Sequence, residues 1–130
     1  MQKENLLNVA LSQIAPVWLD KEATLQKIYT QIQQAATTQT ELIVFGEGLL
    51  PGYPFWLALA DGAHWNTSLN KELYAHYLRN SITIENGDLD PLCALAKKHH
   101  MAIYLGIIER PLDRGGHSVY ASLVYVNQQG

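Results

Sequence analysis

Four apolar residues in a row, Leu42-Ile43-Val44-Phe45, stop abruptly at Gly46-Glu47-Gly48. A short unbroken run of branched and aromatic residues is what a strand buried on both faces carries, so the chain is committed to a layered fold around this segment. A carboxylate placed directly after such a strand lies at the carboxyl edge of the sheet, where open α/β sheets hold their ligands. The flanking glycines let backbone or ligand come close. Desolvation and a nearby cation act in opposite directions on a carboxylate at such an edge, and that competition is how general bases are tuned. From position alone Glu47 is either a chemical group or a structural one that caps a following helix or pairs with an arginine.

The rest of the chain alternates around this segment. Leu6 to Ile14 reads as a first strand. Asp20 is placed to cap a helix over Lys21 to Ala36, in which Leu25, Ile28, Ile32 and Ala35 recur at intervals of three and four. In Leu50-Pro51-Gly52-Tyr53 the positions of proline and glycine match a type II turn, which needs positive φ at Gly52. Phe55 to Ile84 reads as helix in two pieces broken near Asp61 and Gly62, with Leu69, Leu73, His76 and Tyr77 on one face. Asp90 and Pro91 form an N-cap and first-turn pair for a helix with Leu92, Cys93, Leu95 and Ala96 inward and His99 and His100 at its end. Met101 to Ile108 and Val119 to Val126 are two further strands, joined through Pro111, Asp113, Gly115 and Gly116. The order strand, helix, strand, helices, strand, strand predicts an α/β fold with parallel crossovers. Asn127 to Gly130 has the composition of a turn that awaits another strand, which leaves strands suited to burial with helices for only part of their cover.

Composition removes several function classes. Hydrophobic residues make up 48% of the 130 residues and charged residues 16%, as in a globular unit. The formal charge is −3 with scattered basic residues, so no field suited to a phosphate backbone exists and nucleic acid is not an expected partner. No apolar stretch approaches the ~18 residues of a membrane span, and Met1 to Asn8 is too polar for a signal peptide, so the expected location is cytoplasmic, with no membrane partner. Cys93 is the only cysteine, which excludes an internal disulfide and a multi-thiolate metal cluster.

The residues around Glu47 carry a resemblance. Leu42-Ile-Val-Phe-Gly-Glu-Gly-Leu-Leu-Pro-Gly-Tyr-Pro54 resembles the first catalytic motif of the nitrilase superfamily of carbon-nitrogen hydrolases, in which an apolar strand delivers a glutamate followed by a P-G-Y-P turn. Val9 to Ile14 is similar to that family's first strand, Leu105-Gly-Ile-Ile-Glu-Arg110 to its G-x-x-E-R strand end, and Tyr120 to Gly130 to its next strand and turn. The resemblance covers essentially the whole chain. It implies a partial αββα sandwich, the N-terminal portion of a domain whose catalytic lysine and cysteine lie on strand ends beyond residue 130, and it assigns Glu47 as the catalytic glutamate. It also implies a small nitrile or amide substrate, a homo-oligomer, and neither metal nor organic cofactor. The features L-P-G-Y-P and G-G-x-x-x-Y-x-S-L-V-Y lean toward the true nitrilase branch, with the aliphatic amidase and carbamoylase branches as the alternative. A chain of this extent by itself is expected to be inactive; a truncated, noncatalytic interaction module is the competing reading from another class.

Other residues are weighed against bland roles. Tyr53 matches a position that in nitrilases looks toward the substrate, although a turn tyrosine that merely packs its ring explains it as well. Trp56 fits a buried structural residue better than a pocket wall. Glu109 resembles an acid seen at that strand end in the family and is expected to form a salt bridge rather than do chemistry. Cys93, on the apolar side of a helix, reads as a small core residue and not a nucleophile. Lys71, Lys97 and Lys98 precede the third strand and do not match the family lysine. Adjacent His99 and His100 diverge by about 100° on a helix, and the histidines lack H-x-x-x-H spacing, so no metal site is expected. An unrelated use of Glu47 with His64 or His76 has no spacing to support it, and Arg114-Gly115-Gly116 is a flexible connection. Two departures from the family pattern stand out. Gly46 replaces the proline many relatives carry, a change that keeps the turn. Ala121 follows Tyr120 where many have asparagine, which removes a polar group or leaves it to another residue.

Overall fold

The computed structural model describes residues 6–64 and 66–130. A helix over Lys21–Ala36 (α1) begins where Asp20 accepts a hydrogen bond from the Ala23 amide at 2.9 Å, a cap of about 1 kcal/mol. Its 3.6-residue spacing brings Leu25, Ile28 and Ile32 onto one buried stripe. Thr24 is buried with them because its hydroxyl exchanges hydrogen bonds with both the amide and the carbonyl of Val17, 3.0 Å each.

Four strands, Val9–Ser12 (β1), Leu42–Phe45 (β2), Ala102–Glu109 (β3) and Tyr120–Val126 (β4), form one sheet in that order. The first three are parallel and β4 returns antiparallel to β3. Between β2 and β3 the chain makes a short helix, Trp56–Leu59 (α2), a longer one, Ser68–Asn80 (α3), a 3-10 turn at Ile84–Asn86, and Asp90–His99 (α4). Strand alternation sends Ile43, Phe45, Ile103, Leu105, Ile107 and Val126 to one face, where they meet Ile28 and Ile32 of α1 and Leu92 and Ala96 of α4 in a single core. Burying each of these larger side chains contributes roughly 1.5–3 kcal/mol, which fixes the helices on this face. A second cluster, Leu19, Trp56, Tyr77 and Ile108, ties the α2–α3 segment to the carboxyl end of β3.

The opposite sheet face is open among the described residues. Leu11 is 80% exposed, Leu123 68% and Tyr125 55%. Tyr104 and Tyr125 pair across the strands there, ring centroids 4.8 Å apart. The double-sided burial expected of β2 is therefore met on one side only: Ile43 and Phe45 are buried, whereas Leu42 and Val44 are partly exposed.

Element boundaries depart from the sequence expectations in small ways. β1 is shorter than Leu6 to Ile14. Leu89 rather than Asp90 precedes α4, so Asp90 and Pro91 occupy its first turn, and no side chain caps it. Gly52 adopts the positive φ expected of it, 122°, while the Leu50–Pro51 peptide bond is cis.

Candidate active site

The carboxyl end of β2 leaves its ladder and then returns to it. Val44 pairs with Tyr104, and the next pairing to β3 is the isolated parallel bridge between Leu50 and Ile107. Six steps along one strand thus match three along the other. The surplus is extruded as an elbow, Gly46-Glu47-Gly48, with Gly48 at φ of 58°. The return is held by two backbone bonds, from the Leu50 amide to the Gly106 carbonyl (3.3 Å) and from the Ile108 amide to the Leu50 carbonyl (2.8 Å).

The elbow rests on Gly106 of β3. A Cβ at that position would lie 2.3 Å from the Gly46 carbonyl oxygen, 2.6 Å from the Glu47 Cα and 2.7 Å from the Gly48 nitrogen. Glu47 lines a hollow of about 320 Å³ with Gly106, Ala121, Ser122 and Leu123. Glu47 itself is exposed, so the desolvation expected of a strand-end carboxylate is not provided by these residues. Neither structural alternative is present: among the described residues Glu47 caps no helix, and no arginine or lysine pairs with it.

Behind the elbow, the turn that follows is clamped from two sides. The Trp18 indole N–H donates to the Tyr53 carbonyl at 2.8 Å, and the Tyr77 hydroxyl donates to the Gly52 carbonyl at 3.2 Å. Burial, reinforced by Tyr53 and Tyr74, pushes the Tyr77 phenol well above its ordinary range. Tyr53 is half-exposed and does not line the Glu47 hollow; its ring lies beside Gly48, whose added Cβ would meet Tyr53 Cδ2 at 3.3 Å. Phe55 stands against it, ring centroids 6.0 Å apart.

The remaining sequence candidates fall outside this hollow. Glu109 makes no salt bridge among the described residues; it accepts a hydrogen bond of 2.6 Å from Ser122, because β4 lies antiparallel beside it and puts a hydroxyl nearer than any cation. Cys93 packs against the helix-covered core, whereas Gly106 and Leu123 belong to the open face. Trp56 is buried against Tyr74 and Tyr77. His64 lies 3.3 Å from Asp61 on an exposed loop, and His76 Nε2 is 3.1 Å from the Leu19 carbonyl. Sequence reasoning missed Gly106 and Leu123 as neighbours of Glu47. The former stood in the G-x-x-E-R segment, but its contact with the elbow depends on strand register. Ala121, noted only as a departure from a pattern, is part of the hollow's wall.

The chain is similar in sequence and in fold to known proteins. The carbon-nitrogen hydrolase family model matches residues 8–130, and the chain belongs to that family. It is 35% identical over 124 residues to an arylacetonitrilase of Fusarium vanettenii, covering 95% of this chain and 34% of that protein. It is 31% identical over 127 residues to an arylacetonitrilase of Hypocrea virens, with 98% and 35% covered. A "nitrilase 2" from an unknown prokaryotic organism is 32% identical over 125 residues, with 95% and 38% covered. The chain thus spans about a third of the length of these curated relatives. Among solved structures, the C. elegans NitFhit protein matches with a TM-score of 0.64 at 15% identity, over 95% of this chain and 26% of that one. An amidase from Nesterenkonia sp. matches with a TM-score of 0.59 at 13% identity, over 95% and 39%. The fold is α/β, a partial αββα sandwich of the nitrilase type.

Proposed function

We propose that this chain is the N-terminal part of a nitrilase that converts a small organic nitrile to carboxylic acid and ammonia, with Glu47 as its general base. The observation that carries the reading is the elbow: an acid lifted out of the β2–β3 ladder beside a hollow, with no structural partner among the described residues. The arylacetonitrilase relatives support a nitrile over an amide and an arylaliphatic side chain over a simple alkyl one.

In this mechanism a cysteine thiol from farther along the chain gives its proton to Glu47, its sulfur attacks the nitrile carbon, and Glu47 passes that proton to the nitrile nitrogen, which restores the carboxylate. A thiol near its ordinary pKa is mostly protonated at neutral pH and needs such a base. The resulting thioimidate takes up water, ammonia leaves, and a thioester remains. Glu47 then removes a proton from a second water, which hydrolyses the thioester to acid and free thiol. A downstream lysine stabilises the charge of each tetrahedral intermediate, a task that demands a fixed cation in a pocket closed to water. The open sheet face supports this reading, because closing the hollow requires a further layer over Leu11, Leu123 and Tyr125. Tyr53, whose ring lies beside Gly48 and outside the hollow itself, is the further residue assigned to the substrate. The enzyme needs no metal or organic cofactor and assembles as a homo-oligomer.

The isolated 130 residues have no nucleophile for Glu47 to serve and are inactive. Ammonia release from a panel of arylaliphatic and aliphatic nitriles tests this: sustained turnover by the isolated chain refutes it. A second reading, a noncatalytic module that docks on a full-length relative, is favoured by the same open face. The mass of the protein in its source cells separates the two. A much heavier chain supports the enzyme, and a mass near 14.6 kDa supports the module.

A further inference from the structure

We propose that Gly106 is a positioning residue for the Glu47 carboxylate, its bare Cα setting how deeply the Gly46–Gly48 elbow seats on β3. The inference rests on the reading of Glu47 as the general base and adds a determinant of where that base stands. The elbow's two ends are fixed by the ladder, at Val44–Tyr104 on entry and Leu50–Ile107 on exit. Its height above the sheet is not fixed by those pairings. What limits it is residue 106, directly beneath.

The three atoms a Cβ would strike are all backbone: the Gly46 oxygen at 2.3 Å, the Glu47 Cα at 2.6 Å and the Gly48 nitrogen at 2.7 Å. No rotamer change relieves such a clash. Ordinary contact begins at 3.4 Å, so even alanine would drive the elbow off the strand by about 1 Å and shift Glu47 within the hollow it lines. A displacement of that size at a reacting group costs on the order of 100-fold in rate, because the productive geometry is narrow. The struck atoms belong to a loop on the open face, not to the core of α1, α4 and β3, so the sheet itself has no reason to fail.

The test is a double-mutant cycle in the protein made from the complete reading frame, assayed for ammonia release from phenylacetonitrile. Gly106→Ala is expected to lower kcat about 100-fold while KM moves by less than about threefold. Combined with Glu47→Asp, which shortens the acid by one methylene, the two losses are expected not to multiply, since both act on the same distance. A glycine needed only for stability would instead lower the amount of folded enzyme, and its effect would multiply with Glu47→Asp. Gly106→Ala with kcat within about threefold of the parent, multiplicative losses, or a variant that no longer folds each overturns the proposal. Glu47→Gln keeps the two levels apart. If it abolishes turnover while Gly106→Ala does not, only the positioning role falls; if it turns over normally, the reading of Glu47 falls and takes this inference with it.

Discussion

The Tyr77 hydroxyl, on α3, donates to the carbonyl of Gly52 at 3.2 Å, so a helix twenty-five residues downstream holds the turn that closes the Glu47 elbow. The bond is buried, and the ring sits among Leu19, Trp56 and Ile108. Tyr77→Phe leaves the Gly52 carbonyl without this donor, at a cost of about 1–2 kcal/mol. Urea denaturation of the two proteins measures it. An unchanged midpoint and slope would show that the clamp contributes nothing.

The same residue sets an alkaline limit. Burial, then the charges of Tyr53 and Tyr74, raise the Tyr77 phenol above the value of 10.0 it has when exposed. The folded state therefore holds its proton where the unfolded chain has begun to lose it. Stability from this group is fully present below about pH 10 and declines as pH rises beyond that. Thermal melts from pH 8 to 11 are expected to fall more steeply for the parent than for Tyr77→Phe. Parallel curves would place the alkaline sensitivity elsewhere.

Asp88 joins the start of α1 to the approach to α4. Its Oδ2 accepts from Lys21 Nζ at 3.1 Å and from the Thr83 amide at 2.8 Å, and about a fifth of each ionic side chain is exposed. Asp88→Ala is expected to destabilise by about 1–3 kcal/mol, chiefly through the Thr83 amide left without its acceptor. Lys21→Met removes only a partly exposed ion pair and costs less. Equal losses for the two variants would mean that the ion pair, not the amide contact, dominates.

The open sheet face makes the isolated chain prone to self-association, since a contiguous apolar surface of this kind is an interaction surface. Sedimentation velocity of the 130-residue chain is expected to show species heavier than 14.6 kDa, shifted toward monomer by Leu11→Lys with Leu123→Lys. A wild-type chain that is monomeric at high concentration would remove the argument for a covering layer.

Much of this was legible in the sequence because local signals were strong. The bounds of α1 follow from Asp20 and the Leu25-Ile28-Ile32 spacing, and β2 from an unbroken apolar run. β1 is shorter than the apolar pattern of Leu6 to Ile14 suggests, because its paired register with β2 runs only from Val9 to Ser12, although the Asn8 carbonyl still accepts from the Glu41 and Leu42 amides. Glu47 was legible as a strand-end acid. Its support was not, because contacts between residues far apart in sequence depend on register: nothing local marks Gly106 as the seat of the elbow, or Ser122 as the partner of Glu109 in place of a cation. The half-covered β2 likewise reflects what lies over the sheet, which no four-residue pattern encodes.

The central claim is that Glu47 is the base of a nitrile-hydrolysing site. Its most direct test is the turnover number of Glu47→Gln in the protein made from the complete reading frame, with folding checked by circular dichroism. A positioned general base contributes about 10²–10⁴-fold, so a loss of that size with an unchanged fold is predicted. A Glu47→Gln enzyme that releases ammonia from nitriles at the parent rate would contradict the account.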